Sequence, residues 1–176
     1  MTTPSHFPNS FKTSKPVRSI DRFLQSQDPC LLIHGPAGTG KSLLLEWIKC
    51  KTRNQAVVVL APTGLAALNI EGQTIHSFMG LTHDFNPAVD LPRPSRASRS
   101  RQAISHICID EASMLSSVYI DLLDEYLREY NRAYKQSFGG AKLIMFADYY
   151  QIPPIVEGLA FGEPHLTSVI WSAIVS

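Results

Sequence analysis

A chain of 176 residues, 44% of them apolar and 18% charged, is long enough for one domain with a hydrophobic core and has an ordinary globular composition. Sixteen basic against fifteen acidic residues leave a net charge of +1, which neither demands nor excludes a nucleic-acid partner. No apolar run reaches the roughly 18 residues of a membrane-spanning helix, and the three cysteines (Cys30, Cys50, Cys108) show neither a CxxC pair nor metal-ligand spacing, so a reduced intracellular setting with all three as small buried hydrophobes is expected.

In chain order, residues 1–20 lack any acid and hold Lys12, Lys15 and Arg18, a faint transit-peptide composition. The plainer reading is a disordered tail over 1–15, broken by Pro4, Pro8 and Asn9. A single domain is expected over 16–176. In "VRSIDRFLQS", Val17, Ile20, Phe23 and Leu24 recur at helical spacing. "CLLIH" is a short apolar run ending at Gly35 and reads as a buried parallel strand. "KSLLLEWIKCK" reads as a helix, "AVVVLAP" as a second buried strand, and "GLAALNIEG" as a helix with Gly72 near its stop. "TIHSFMG" is a short helical segment. "HICIDE" and "AKLIMFAD" are the third and fourth strands.

Between the last two strands, "SSVYIDLLDEYLREYNRAYK" places Tyr119, Leu122, Leu123, Tyr126, Leu127, Tyr130 and Tyr134 on one helical face, a packing stripe rather than a base-stacking one. Asp124 and Arg128 are spaced for a weak surface pair. The segment 91–102, "LPRPSRASRSRQ", carries four arginines, two prolines and no acid, and reads as an exposed basic loop. Alternating strands and helices predict an α/β sandwich with a mostly parallel sheet.

Gly35, Pro36, Ala37, Gly38, Thr39, Gly40, Lys41 and Ser42 match G-x-x-x-x-G-K-[ST] at every fixed position, with a strand before and a helix after. Such glycines let backbone amides curl around phosphate oxygens, and the following helix turns its positive end to the same anion. Lys41 supplies a charge for the β and γ phosphates and Ser42 a hydroxyl for Mg²⁺. This predicts a P-loop NTPase that binds ATP with Mg²⁺. Asp110 and Glu111 end an apolar strand, where one carboxylate can hold Mg²⁺ and its neighbour can orient or deprotonate water. Paired acids suit a hydrolase better than a kinase.

Three more stretches narrow the class: "APTGLAALNIEGQTIHSFMG" (61–80), "IDEASML" (109–115) and "FADYYQIPPI" (146–155). Together with "GPAGTGKS" they resemble motifs I, Ia, II and III of the RecD/Pif-like group of superfamily one DNA helicases, in that order. The resemblance implies a RecA-like three-layer sandwich, ATP hydrolysis, and 5′ to 3′ travel on single-stranded DNA in replication, recombination or repair. It implies that Asp110 holds the metal, that Glu111 activates water, and that Gln151 senses the γ phosphate. Pro62, Thr63, Thr74, His76 and Phe78 would line the single-strand path. Hydroxyls and helix ends suit a motor that grips backbone rather than base edges. For Phe78 a core position is as good a reading, and Pro153-Pro154 would stiffen the turn after the fourth strand.

Two positions depart from the group's pattern: Ala147-Asp148 stands where Gly-Asp is usual, and Arg18 where an adenine-reading glutamine is usual. Motifs IV to VI, and a second RecA-like domain with its arginine, have no counterpart in these residues, so an excerpt of a motor, slow in turnover by itself, is expected. A nuclear, nucleoid or cytoplasmic location follows, with a mitochondrial one resting only on the acid-free N-terminus. The alternatives are a degenerate nucleic-acid-binding or regulatory P-loop fragment without unwinding activity, and a loader or small kinase. The arginine cluster at 93–101 lies in the wrong place for the lid of either enzyme.

Overall fold

Two faces of one parallel sheet bury the apolar segments in the computed structural model, which describes residues 7–86, 90–95 and 102–148. Helices α1 (Asn9–Lys12) and α2 (Lys15–Gln25) lead into β1 (Cys30–His34). Then come α3 (Lys41–Lys51), β2 (Val57–Ala61), α4 (Gly64–Asn69), β3 (Gln73–Thr74) and α5 (Ile75–Met79). After the segment 80–105 follow β4 (His106–Ile109), a 3₁₀ turn (Ala112–Met114), α6 (Ser117–Asn131), a second 3₁₀ segment (Ser137–Gly140) and β5 (Lys142–Ala147). The strand order is β1-β5-β4-β2-β3, and every pairing is parallel.

Side-chain alternation along the strands splits the core into two layers. Ile107, Ile109, Leu143 and Met145 face α5 and α6, where Ile75, Ile120, Leu123 and Leu127 cover them. Cys108, Ile144 and Phe146 face the other way, toward Val17, Ile20, Trp47 and Ile48 of α2 and α3. The result is the expected three-layer sandwich. Both faces of β4 and β5 are covered, so their sequences are continuous apolar runs. β1 pairs on one side only among the described residues and is half-buried, which corrects the fully buried strand expected there.

The loose tail expected over 1–15 is corrected from Phe7 onward. Phe7 is buried and stacks on Phe11, and both rings meet Trp47 of α3 edge-on at 5.3 and 6.0 Å. Proline and asparagine there start and bound a short helix instead of dissolving the chain. Trp47 also donates to Asp21 on α2 at 2.9 Å. Lys142 caps the far end of α2, donating to the carbonyls of Phe23, Leu24 and Ser26.

The surface pair expected at Asp124 and Arg128 is a buried one. Asp124 is 1% exposed and accepts from the Phe138 amide as well as from Arg128 Nε. Tyr134 lies beyond the end of α6 and is 63% exposed, so it leaves the packing stripe. Gly72 does not end α4 by a left-handed turn. Glu71 takes that conformation (φ 52°), and a Cβ on Gly72 would sit 2.6 Å from the Val59 carbonyl oxygen. The glycine lets β3 close onto β2, a two-residue strand too short to show a sequence period. The cysteines are free; Cys108 is buried, whereas Cys30 and Cys50 are only partly so. Burial pushes the thiols of Cys30 and Cys108 up to about 12. Of the basic loop, Pro92 and Pro94 are buried and Arg93 is exposed, while Arg96, Arg99 and Arg101 lie outside the described residues. No helix among the described residues is long and apolar enough to cross a membrane.

Candidate functional site

The parallel arrangement sets the carboxyl ends of all five strands along one edge of the sheet, where ligands of open α/β folds collect. Read across that edge, the loop after β1 comes first, then the end of β5, the acid pair after β4, the turn after β2, and finally β3 with α5.

Gly35 to Gly40 form the first of these. The Gly35 amide donates to the Ala147 carbonyl at 3.1 Å, which ties the loop's start to the end of β5. Thr39 Oγ1 donates to the Pro36 carbonyl at 2.8 Å and closes the loop on itself. Gly38 (φ 78°) and Gly40 (φ 87°) have left-handed backbones that other residues adopt only at a cost. Gly40 is the N-cap of α3 and contributes no side-chain cap. The amides at that helix start therefore remain for an anion. Lys41 opens the helix and folds back over the loop. Its Nζ donates to the carbonyls of Gly35 at 2.5 Å and Pro36 at 3.0 Å. Ser42 is exposed in the first turn.

Asp110 continues the β4 ladder, its amide donating to the Leu60 carbonyl at 2.9 Å. Its carboxylate accepts the Glu111 amide at 3.0 Å. Glu111 adopts φ 51°, as Glu71, Arg132 and Phe138 do at turns and element ends, so the conformation alone marks no site. β4 lies two strands from β1, so at strand spacing the acid pair and the glycine loop stand about 10 Å apart across the end of β5.

The group in the gap is Asp148. It is 5% exposed, its amide donates to Ser113 Oγ at 3.4 Å, and its carboxylate lies 4.0 Å from Lys41 Nζ. The sequence names it only as the matching half of the Ala147-Asp148 pair, where the departure is Ala147, and assigns it no role. The one available signal was an acid ending an apolar strand, the same signal that marked Asp110. Gln151, Pro153 and Pro154 lie outside the described residues.

The nucleic-acid candidates gather at the other end of the same edge. Pro62 and Thr63 follow β2, and Thr63 Oγ1 caps α4 by accepting the Ala66 amide at 3.2 Å. Thr74 ends β3, pairs with Ala61, and caps α5 by accepting the Ser77 amide at 3.1 Å. Both hydroxyls keep a proton to donate. His76 is exposed, and its Nε2 lies 3.0 Å from the Tyr119 hydroxyl. Partial burial of the ring lowers its pKa from 6.5. Phe78 turns inward instead, its ring edge-on to Tyr126 at 5.2 Å within the α6-side core. It remains half-buried, as Pro62, Thr63 and Thr74 are.

The glycine loop is an open surface cradle, not an enclosed cavity. A cavity of about 500 Å³ lies elsewhere, beside the first residues of β2 between Arg53, Gln55 and Gln73. A second, of about 300 Å³, runs from Ser42 along α3 to Asn69 and Glu71. Neither contains the acid pair.

Known proteins resemble this chain in sequence and in fold. Residues 14–173 match the family model described as PIF1-like helicase. The ATP-dependent DNA helicase PIF1 of Saccharomyces cerevisiae is 42% identical over 129 residues, which is 69% of this chain and 15% of the yeast protein. Its namesake in Danio rerio is 35% identical over 127 residues, covering 70% of this chain and 20% of that one. The chain thus spans a fifth or less of the length of these two relatives. Among solved structures, Pif1 helicase from Candida albicans superposes with a TM-score of 0.72 at 32% identity, over 90% of this chain and 37% of that one. Pif1 from Bacteroides in complex with ADP-AlF3 and single-stranded DNA gives 0.72 at 30% identity, over 82% and 34%.

Proposed function

Because the chain belongs to the PIF1-like helicase family, we propose that it is the nucleotide-binding motor domain of an ATP-dependent DNA helicase, taking Mg-ATP at the glycine loop and single-stranded DNA along α4 and α5. The observation that carries this reading is the row formed by the loop, Asp148, the acid pair and two threonine-capped helix starts along one sheet edge.

The donor set fits the ion. Ser42 and Asp110 offer a hydroxyl and a carboxylate, hard oxygen donors of the kind Mg²⁺ takes beside phosphate oxygens and water. Bound there, the ion would neutralise charge on the β and γ phosphates. Lys41 exchanges its two loop carbonyls for phosphate oxygens when the nucleotide arrives, and so draws away from Asp148. Glu111 takes the proton of the attacking water. Gln151 senses the γ phosphate. Thr63, Thr74 and His76 hold strand phosphates. This path starts one strand away from the acid pair, so a shift of Asp110 on hydrolysis reaches Pro62 and Thr63 through the β2–β4 ladder.

A second RecA-like domain would supply an arginine worth about 10³–10⁵ in rate, and these residues hold one domain. The test is a coupled ATPase assay with and without oligo(dT), beside a forked-duplex unwinding assay. The expected result is turnover well below the ~10 s⁻¹ of a median enzyme, stimulated by the single strand, without unwinding. Nucleotide binding with no turnover under any condition would favour a degenerate fragment. Fast turnover or unwinding by the 176 residues would overturn the one-domain reading.

A further inference from the structure

Tyr119 belongs to the α6 tyrosine stripe, and its hydroxyl meets a candidate DNA contact, His76. Tyr126 packs inside against Phe78, and Tyr130 lies against Tyr126 at 6.1 Å. Tyr119 sits in the first turn of α6, its amide bonded to the Ser116 carbonyl at 3.2 Å. The His76 and Tyr119 rings are 4.8 Å apart and tilted by 55°, with Nε2 and the hydroxyl at 3.0 Å. α6 is also the helix that leaves the acid pair through the Ala112–Met114 turn. The pair therefore joins the strand-binding end of the edge to the element that follows the nucleotide-binding end.

We infer that Tyr119 is a positioning residue for single-strand binding: its hydroxyl donates to His76 Nε2 and so keeps the proton on Nδ1, which donates to a phosphate oxygen of the strand. This rests on the placement of His76 in the single-strand path proposed above. The chemistry requires the direction. A neutral imidazole has one donor and one acceptor nitrogen, and a phosphate oxygen only accepts. The nitrogen left for the strand must carry the proton, so Nε2 must accept. Partial burial disfavours the imidazolium, which would otherwise donate from both nitrogens and make the tyrosine irrelevant. Without the hydroxyl, the ring divides between two tautomers.

The test uses the 176-residue chain and a fluorescein-labelled oligo(dT), read by anisotropy, for the parent, Tyr119→Phe, His76→Ala and the double variant. Melting temperature and affinity for a fluorescent adenine nucleotide are the controls, and long-range ¹H–¹⁵N spectra of the His76 ring report its tautomer. Tyr119→Phe is expected to weaken strand binding about fivefold, the net worth of one hydrogen bond. It should leave both controls unchanged, shift the ring toward a tautomer mixture, and add nothing in the His76→Ala background. Parent-like binding by Tyr119→Phe beside weak binding by His76→Ala overturns the role of Tyr119 and leaves the path standing. Unchanged binding by His76→Ala overturns the placement of His76 and the inference with it. An equal loss from Tyr119→Phe with and without His76 shows that the tyrosine does not act through the imidazole, which also overturns it.

Discussion

Replacing Asp124 with alanine tests the joint that sets β5, and hence Asp148, in the site. The Asp124 carboxylate is 1% exposed and holds the Phe138 amide and Arg128 Nε. Phe138 is fully buried in the 3₁₀ segment that delivers the chain into β5. Truncation leaves that amide without an acceptor, at about 1–3 kcal/mol. Arg128 keeps the Tyr134 carbonyl and a side chain 22% exposed, so its loss is cushioned by solvent. The sum is about 3 kcal/mol, near the lower end of the roughly 3–5 kcal/mol for breaking a buried pair. At about 2–4 °C per kcal/mol for a domain of this size, melting should fall by about 6–12 °C. Asp124→Asn retains an oxygen for the amide but turns an NH2 donor toward Arg128 Nε, so it loses that hydrogen bond with the charge, and about 1.5–2 kcal/mol is expected. Urea denaturation followed by circular dichroism measures both. An alanine variant within 1 kcal/mol of the parent, or an asparagine variant as damaged as the alanine, would refute the assignment of the cost to the stranded amide.

Two further perturbations probe the sheet edges. Gly72→Ala places a Cβ 2.6 Å from the Val59 carbonyl oxygen, so one of two backbones has to shift. An overpacking cost of about 1–3 kcal/mol and weaker oligo(dT) binding through Thr74 and His76 are expected; unchanged melting would show that β3 has room to move. His106 is 6% exposed, and burial, helped by Lys142, lowers its pKa from 6.5. The unfolded chain then takes up a proton below pH 6.5 that the folded chain refuses. Its contribution is whole above that pH and is lost on acidification, at no more than about 1.4 kcal/mol per pH unit. His106→Leu should flatten the stability curve between pH 6.5 and 5, and parallel curves would contradict this.

The glycine loop, the acid pair and the helix "KSLLLEWIKCK" were legible because each is carried by local chemistry. Positive-φ glycines, a strand-ending acid and helical spacing are written within a few residues. What stayed hidden depends on neighbours distant in the chain. Asp148 joins the site only because β5 inserts between β1 and β4, an order that no spacing reveals. Asp124 reads as a surface partner of Arg128 because i,i+4 spacing does not say which side of a helix is covered. The covering group, the Phe138 amide, lies 14 residues on. Phe78 and Tyr119 were alike as aromatics near a motif; α6 decides that one turns inward and the other meets His76. The tail from Phe7 onward is hidden for the same reason: Phe7 packs on Trp47, 40 residues away in the numbering.

The central claim is that the glycine loop and the acid pair form one Mg-nucleotide site, and titration of a fluorescent ATP analogue with and without Mg²⁺ tests it most directly. The parent should bind more tightly with Mg²⁺ present. Lys41→Ala should lose about 10–100-fold, the worth of a charge-assisted contact or two, in either condition. Asp110→Asn should lose the Mg²⁺ dependence and keep the metal-free affinity. Binding by Asp110→Asn that still tightens with Mg²⁺ as the parent's does, or binding by Lys41→Ala equal to the parent's, would contradict the account.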